Sequence, residues 1–101
     1  MFNNVDKKLL GPPYFERIRE EEQFIEVKSI NTQHCWMIFK KVSPSDRPVT
    51  LYHKHHQKDP YYHKHYETIN VKLAIENIKS HDRYVIENRK DEKICIKNIE
   101  N

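Results

Sequence analysis

Apolar and polar positions alternate over much of the first two thirds of the chain. Residues 24–30 alternate well enough for a strand, and residues 33–42 are apolar on both faces, which is typical of a central strand. Residues 49–57 predict a third strand and residues 61–67 a fourth, with a break at residues 58–60. The pattern therefore predicts consecutive strands of one sheet.

Helical spacing replaces this alternation after residue 70. Val71, Ala74, Ile75 and Ile78 recur at i, i+3, i+4 and i+7, which predicts a helix that begins after the N-cap Asn70 and ends near residues 81–82. Residues 13–22 predict an earlier helix, because a proline at the first helical position is already fixed in φ. Residues 84–87 and 94–99 predict the last two strands.

These elements indicate a two-layer α+β domain, with helices on one face of a mostly antiparallel sheet and the order α-β-β-β-(β)-α-β-β. A chain of 101 residues is sufficient for one such domain. We assign residues 13–101 to it and residues 1–12 to a flexible N-terminal arm.

Composition limits the possible classes of protein. The chain is 37% hydrophobic and 33% charged, so it can bury only a modest core. Its single glycine argues against P-loop and dinucleotide-binding motifs, which need several. We expect a cytoplasmic protein without a membrane partner, because no apolar run is long enough for a bilayer or a signal peptide. Abundant Lys, Ile and Asn, which have A/T-rich codons, indicate a low-GC bacterium or a phage.

Cys35 and Cys95 stand alone, without a C-x-x-C motif, which argues against a zinc ribbon or a thioredoxin site. His34 precedes Cys35, but neighbouring residues of a strand point to opposite faces and are poorly placed to form a nucleophilic pair. We expect two ordinary thiols. Whether they pair with each other stays open.

Positive charge, histidine and aromatic residues coincide in the middle of the chain. Residues 27–66 contain seven Lys or Arg against two Asp or Glu, and six of the seven histidines. Cations interleaved with flat rings are typical of surfaces that bind nucleic acid or another polyanion. The candidate binding residues are Tyr52, His53, Lys54, His55, Lys58, Tyr62, His63, Lys64, His65, Lys40, Lys41 and Trp36.

The tetrapeptide Tyr-His-Lys-His occurs at residues 52–55 and again at 62–65, and in a strand both histidines of a copy point to one side. If residues 57 and 61 pair, His55 faces His63 and His53 faces His65, so four imidazoles gather on one side. If residues 59–62 instead form a type I turn, which their sequence slightly favours, the two pairs lie on opposite sides.

Three alternatives to a non-enzymatic polyanion-binding module follow from this segment. Imidazoles at i and i+2 can chelate a metal, which makes His53, His55, His63 and His65 candidate ligands, although we expect no cofactor beyond adventitious zinc or nickel. A small phosphodiesterase or nuclease would use two histidines as acid and base. The third is a solvated hairpin with no specific ligand and a structural or protein-interaction role, including a possible homodimer. His34 and His81 stand alone in the sequence and are not predicted to be ligands.

Overall fold

Five strands and a long helix make up most of the fold. The computed structural model describes the backbone of residues 2–100 and the side chains of residues 2–89. Its elements are α1 (Asn4–Leu9), β1 (Phe15–Glu20), β2 (Phe24–Ser29), β3 (Cys35–Lys40), β4 (Val49–Lys54), β5 (His63–Thr68) and α2 (Val71–Glu100). The predicted α+β class with an antiparallel sheet is confirmed.

The sheet is a meander in which each strand pairs antiparallel with the next, in the order β1-β2-β3-β4-β5. β3 lies at its centre, as its two apolar faces predict. Its core face carries Trp36 and Ile38, which lie opposite Val27 and Ile25 of β2. The other face carries Cys35 and Met37.

The core lies between one face of the sheet and α2. The predicted stripe from Val71 to Ile78 is buried there, and the side chain of Asn70 accepts a hydrogen bond from the backbone N–H of Leu73, as expected of an N-cap. The segment that the sequence assigns to an arm contains α1 and contributes Phe2 and Leu10 to the core.

Residues 15–20 form β1, whereas the apolar pattern predicts a helix over 13–22. That pattern is thin, and pairing with β2 provides backbone hydrogen bonds while it buries Phe15 completely. Tertiary pairing thus outweighs a weak helical preference.

Residues 84–87 and 94–99, predicted as strands, both lie within α2. β-branched residues such as Val85 favour a strand locally, but the sequence contains neither Gly nor Pro after residue 70 to end the helix. No helix in the described part of the chain is long and apolar enough to cross a membrane.

Candidate metal centre

His53 lies at the centre of a group of six histidines at one end of the core. The centroid of its ring lies 4.7 Å from that of His81, 5.1 Å from those of His34 and His55, 5.5 Å from that of His65 and 5.8 Å from that of His63. We call these six residues the histidine cluster. The indole of Trp36 stacks on His53 at 4.2 Å and closes the cluster on the core side.

Strand alternation places His53 and His34 in this cluster. His53 follows Val49 and Leu51 on the core face of β4 and pairs with Trp36 of β3. His34 immediately precedes β3, and its ring stacks on His55 at 4.9 Å. The alternation that places Val49 and Leu51 on the buried face of β4 therefore also places the imidazole of His53 at the end of that face.

His81 reaches the cluster from α2. It lies ten positions after Val71, and the inward-facing stripe of the helix continues with the half-buried His81 and the buried Asp82. Sequence analysis missed His81 because it treated it as an isolated histidine at the end of the predicted helix. Extending the helical period by one turn would have placed both residues on the core-facing side.

The observed β4–β5 register differs from both predicted ones. His53 lies opposite His63, and the register shifts between Leu51 and Tyr52, so that His65 is an extra residue on β5. Compared with the first predicted register, the partner of His53 has moved by two residues. A shift by two keeps side chains on the same face, so His55, His63 and His65 all lie beside His53.

Three members of the cluster bring ligand atoms together. The side-chain nitrogens of His34, His53 and His81 that could bind a metal all lie within 4.8 Å of one another. Nδ1 of His34 and Nε2 of His53 are 2.9 Å apart and share one proton in a hydrogen bond. Nδ1 of His81 is buried without a hydrogen-bond partner among the described residues, which is rare for a buried polar atom. We call these three residues the histidine triad.

Burial keeps the triad uncharged. Desolvation, helped by the neighbouring histidines, lowers the pKa of His53 to about 3 and that of His34 to about 4. Desolvation also lowers the pKa of His81, although Asp82 partly opposes it. At neutral pH the three imidazoles are therefore neutral, which is the form that binds metals.

Asp82 anchors the loop that carries His34. Its buried carboxylate accepts a hydrogen bond of 2.6 Å from the Tyr14 hydroxyl and one of 3.0 Å from the Thr32 hydroxyl. The Thr32 oxygen in turn accepts the backbone N–H of His34 at 3.2 Å. One carboxylate on α2 thereby fixes both the start of β1 and the approach to β3.

Several predicted polyanion-binding residues lie inside the protein. Trp36 is 0% exposed, His53 3% and Lys54 8%, so none offers a surface to a nucleobase or a phosphate. The Lys54 ammonium donates to two backbone carbonyls and lies 4.6 Å from the centroid of the Tyr62 ring. The Tyr62 hydroxyl donates to Glu26 at 2.6 Å.

The remaining predicted cations differ in their surroundings. Lys40 forms an ion pair with Asp6, and Lys41 and Lys64 both pair with Glu67. Lys58 is exposed, and Tyr61 close by is 81% exposed. Polyanion binding stays a prediction, and these two residues would contribute to it more than the buried ones.

Cys35 has a buried free thiol on the face of β3 opposite Trp36, and burial raises its pKa. It is therefore an unreactive thiol rather than the partner of His34 in a nucleophilic pair. The side chain of Cys95 lies outside the described residues.

Comparison of the chain with family models, curated proteins and solved structures found no match.

Proposed function

We propose that the protein binds one divalent transition metal ion, of which zinc is the best candidate, through His34, His53 and His81. The observation that carries the proposal is the convergence of three neutral imidazoles from three separate parts of the chain. Sequence analysis included His53 among its candidate ligands, whereas the triad replaces the other three with His34 and His81. Imidazole is a preferred ligand of zinc, copper and nickel.

The spacing of the triad is close to that of a tetrahedral site. Zinc binds imidazole nitrogen at about 2.0 to 2.1 Å, which separates two ligands of a tetrahedron by roughly 3.3 to 3.4 Å. The 2.9 Å contact between His34 and His53 must therefore widen slightly, and no two of the ligand atoms are more than 4.8 Å apart.

Metal binding would also displace the proton that His34 and His53 share in their hydrogen bond. Each neutral imidazole carries one N–H, and the nitrogen that binds a metal must be the unprotonated one. The proton now held between Nδ1 of His34 and Nε2 of His53 would move to the outer nitrogen of one ring. A metal would also occupy the space beside Nδ1 of His81, the buried atom that lacks a partner among the described residues.

Zinc titration of the chelator-treated protein tests the proposal. Calorimetry should give one ion per chain, and saturating zinc should raise the melting temperature, because an ion that binds only the folded state stabilises it. His81→Ala should weaken zinc binding by more than about a hundredfold, beyond the 10- to 100-fold effect of losing an outer-shell partner.

His63→Ala is the matched control. His63 belongs to the cluster but not to the triad, and its side chain is exposed on β5. Its replacement should leave zinc affinity within about threefold of the original, whereas equal losses in both variants would contradict the assignment of the triad. Absence of zinc binding by the folded, metal-free protein would reject the proposed function.

A further inference from the structure

A cleft of about 450 Å³ opens beside two members of the triad. His34 and His81 form its inner end, the exposed His55 and His56 form one side, and Tyr84 and Arg89 form the side on α2. Positions 81, 84, 85, 88 and 89 share one face of a helix, since their spacing is i, i+3, i+4, i+7 and i+8. The face of α2 that presents His81 therefore continues as the wall of the cleft.

The cleft combines positive charge with hydrogen-bond donors. None of the described side chains that line it is a carboxylate. The Arg89 guanidinium is held at the wall, because its Nη2 donates to the backbone carbonyl of Thr32 at 3.1 Å. A guanidinium has five N–H donors, and this bond uses one. The others suit an oxyanion, which arginine binds with two parallel hydrogen bonds.

Three protein ligands leave one position open on a tetrahedral metal ion, and in such sites water or substrate takes it. His34 and His81 belong both to the triad and to the lining of the cleft, whereas His53 lies deeper against Trp36. An ion bound by the triad would therefore have its open position toward the cleft.

We propose that this cleft binds an anion of the phosphate class, with one oxygen on the metal and a second on Arg89. The proposal rests on metal binding by the triad. Phosphate suits the cleft better than a carboxylate does, because it has oxygens left for the Tyr84 hydroxyl and the Asn88 amide after the metal and Arg89 are bound. A carboxylate has only two oxygens, which the metal and Arg89 would already occupy.

Visible absorption of the cobalt-loaded protein provides the test, since an oxyanion that enters the metal's coordination sphere changes the ligand-field bands. Inorganic phosphate should change the spectrum saturably, and acetate at matched ionic strength should bind more weakly. Phenyl phosphate, titrated in parallel, shows whether the cleft prefers the free ion or an ester. Arg89→Gln should weaken phosphate binding by about tenfold or more, because it removes a charge-assisted hydrogen bond.

Arg83→Gln is the matched control, because it removes the same charge from the same helix but lies beside Tyr14, in a different cleft. It should leave phosphate binding almost unchanged, and both variants should bind cobalt as the original protein does. A cobalt complex whose spectrum does not respond to phosphate would reject the cleft and leave metal binding intact. Parallel loss of cobalt affinity in Arg89→Gln would also overturn the proposal, by showing that Arg89 only positions His34 through Thr32.

Discussion

Asp82 shows how one side chain can support a site that it does not enter. It is 0% exposed, and both of its carboxylate oxygens accept hydrogen bonds from hydroxyl groups. A buried carboxylate is stable only when its oxygens are bound in this way. Through Thr32 it reaches the backbone of His34, so that the geometry of the triad depends on a residue that contributes no ligand.

Asp82→Asn should therefore weaken both the fold and metal binding. The amide oxygen can replace one carboxylate oxygen, but the amide NH2 group replaces the other, so the hydrogen of one of the two hydroxyl groups loses its acceptor. We expect a loss of about 1 to 3 kcal/mol in the free energy of unfolding and a 10- to 100-fold loss of zinc affinity. Urea denaturation and zinc calorimetry measure the two effects.

Tyr14→Phe removes one hydrogen bond to Asp82 and leaves Thr32 bonded, so it should reduce stability more than zinc affinity. Zinc affinity that is unchanged in Asp82→Asn would show that Asp82 does not position His34.

At the scale of elements, local pattern predicts those parts that bury a regular stripe. β3 and the first turns of α2 follow from alternation and from a helical period, and both lie where the sequence places them. β1 could not be predicted this way, because its backbone pairs with β2 and Phe15 joins a core that is built from several elements, neither of which its local pattern shows. The triad was not predicted for a similar reason. Three strands separate His34 from His81 along the sequence, and the two residues meet only because α2 packs on the sheet.

Ile38→Asp tests the central position of β3. Ile38 is 0% exposed and lies between Ile25 and Leu51 on the core face. An unpaired charge there costs several kcal/mol, which is comparable with the stability of a small domain. We expect the variant to lack a cooperative thermal transition in circular dichroism. Val42→Asp, at a side chain that is 69% exposed, should melt as the original does. A normal transition in Ile38→Asp would place β3 away from the core.

At the scale of the whole molecule, the burial of His34 and His53 couples stability to pH. In the unfolded chain these imidazoles titrate near the ordinary pKa of 6.5, whereas in the folded metal-free protein His34 does so at about 4 and His53 at about 3. Between these limits the unfolded state binds more protons. The free energy of unfolding is therefore highest above pH 6.5 and falls as the pH drops toward 4.

Guanidine denaturation of the metal-free protein between pH 7.5 and 4.5 should show this loss. One pKa unit corresponds to about 1.4 kcal/mol, so two such histidines should cost a few kcal/mol by pH 4.5. His53→Leu, which keeps an apolar group beside Trp36, should flatten the dependence. A free energy of unfolding that is constant over this range would mean that water reaches these rings in the folded protein.

The meander has a consequence for the order in which the molecule assembles. Every strand pairs with its neighbour along the chain, so the whole sheet can form from contacts that are short in sequence, and such contacts form quickly. His53 lies on that sheet and His34 directly precedes β3, but His81 leaves the ribosome after all five strands. The pair of histidines therefore exists before the third ligand is available. Binding of a metal by all three histidines would require α2 to dock on a sheet that is already complete. Such binding would therefore mark the last step of folding.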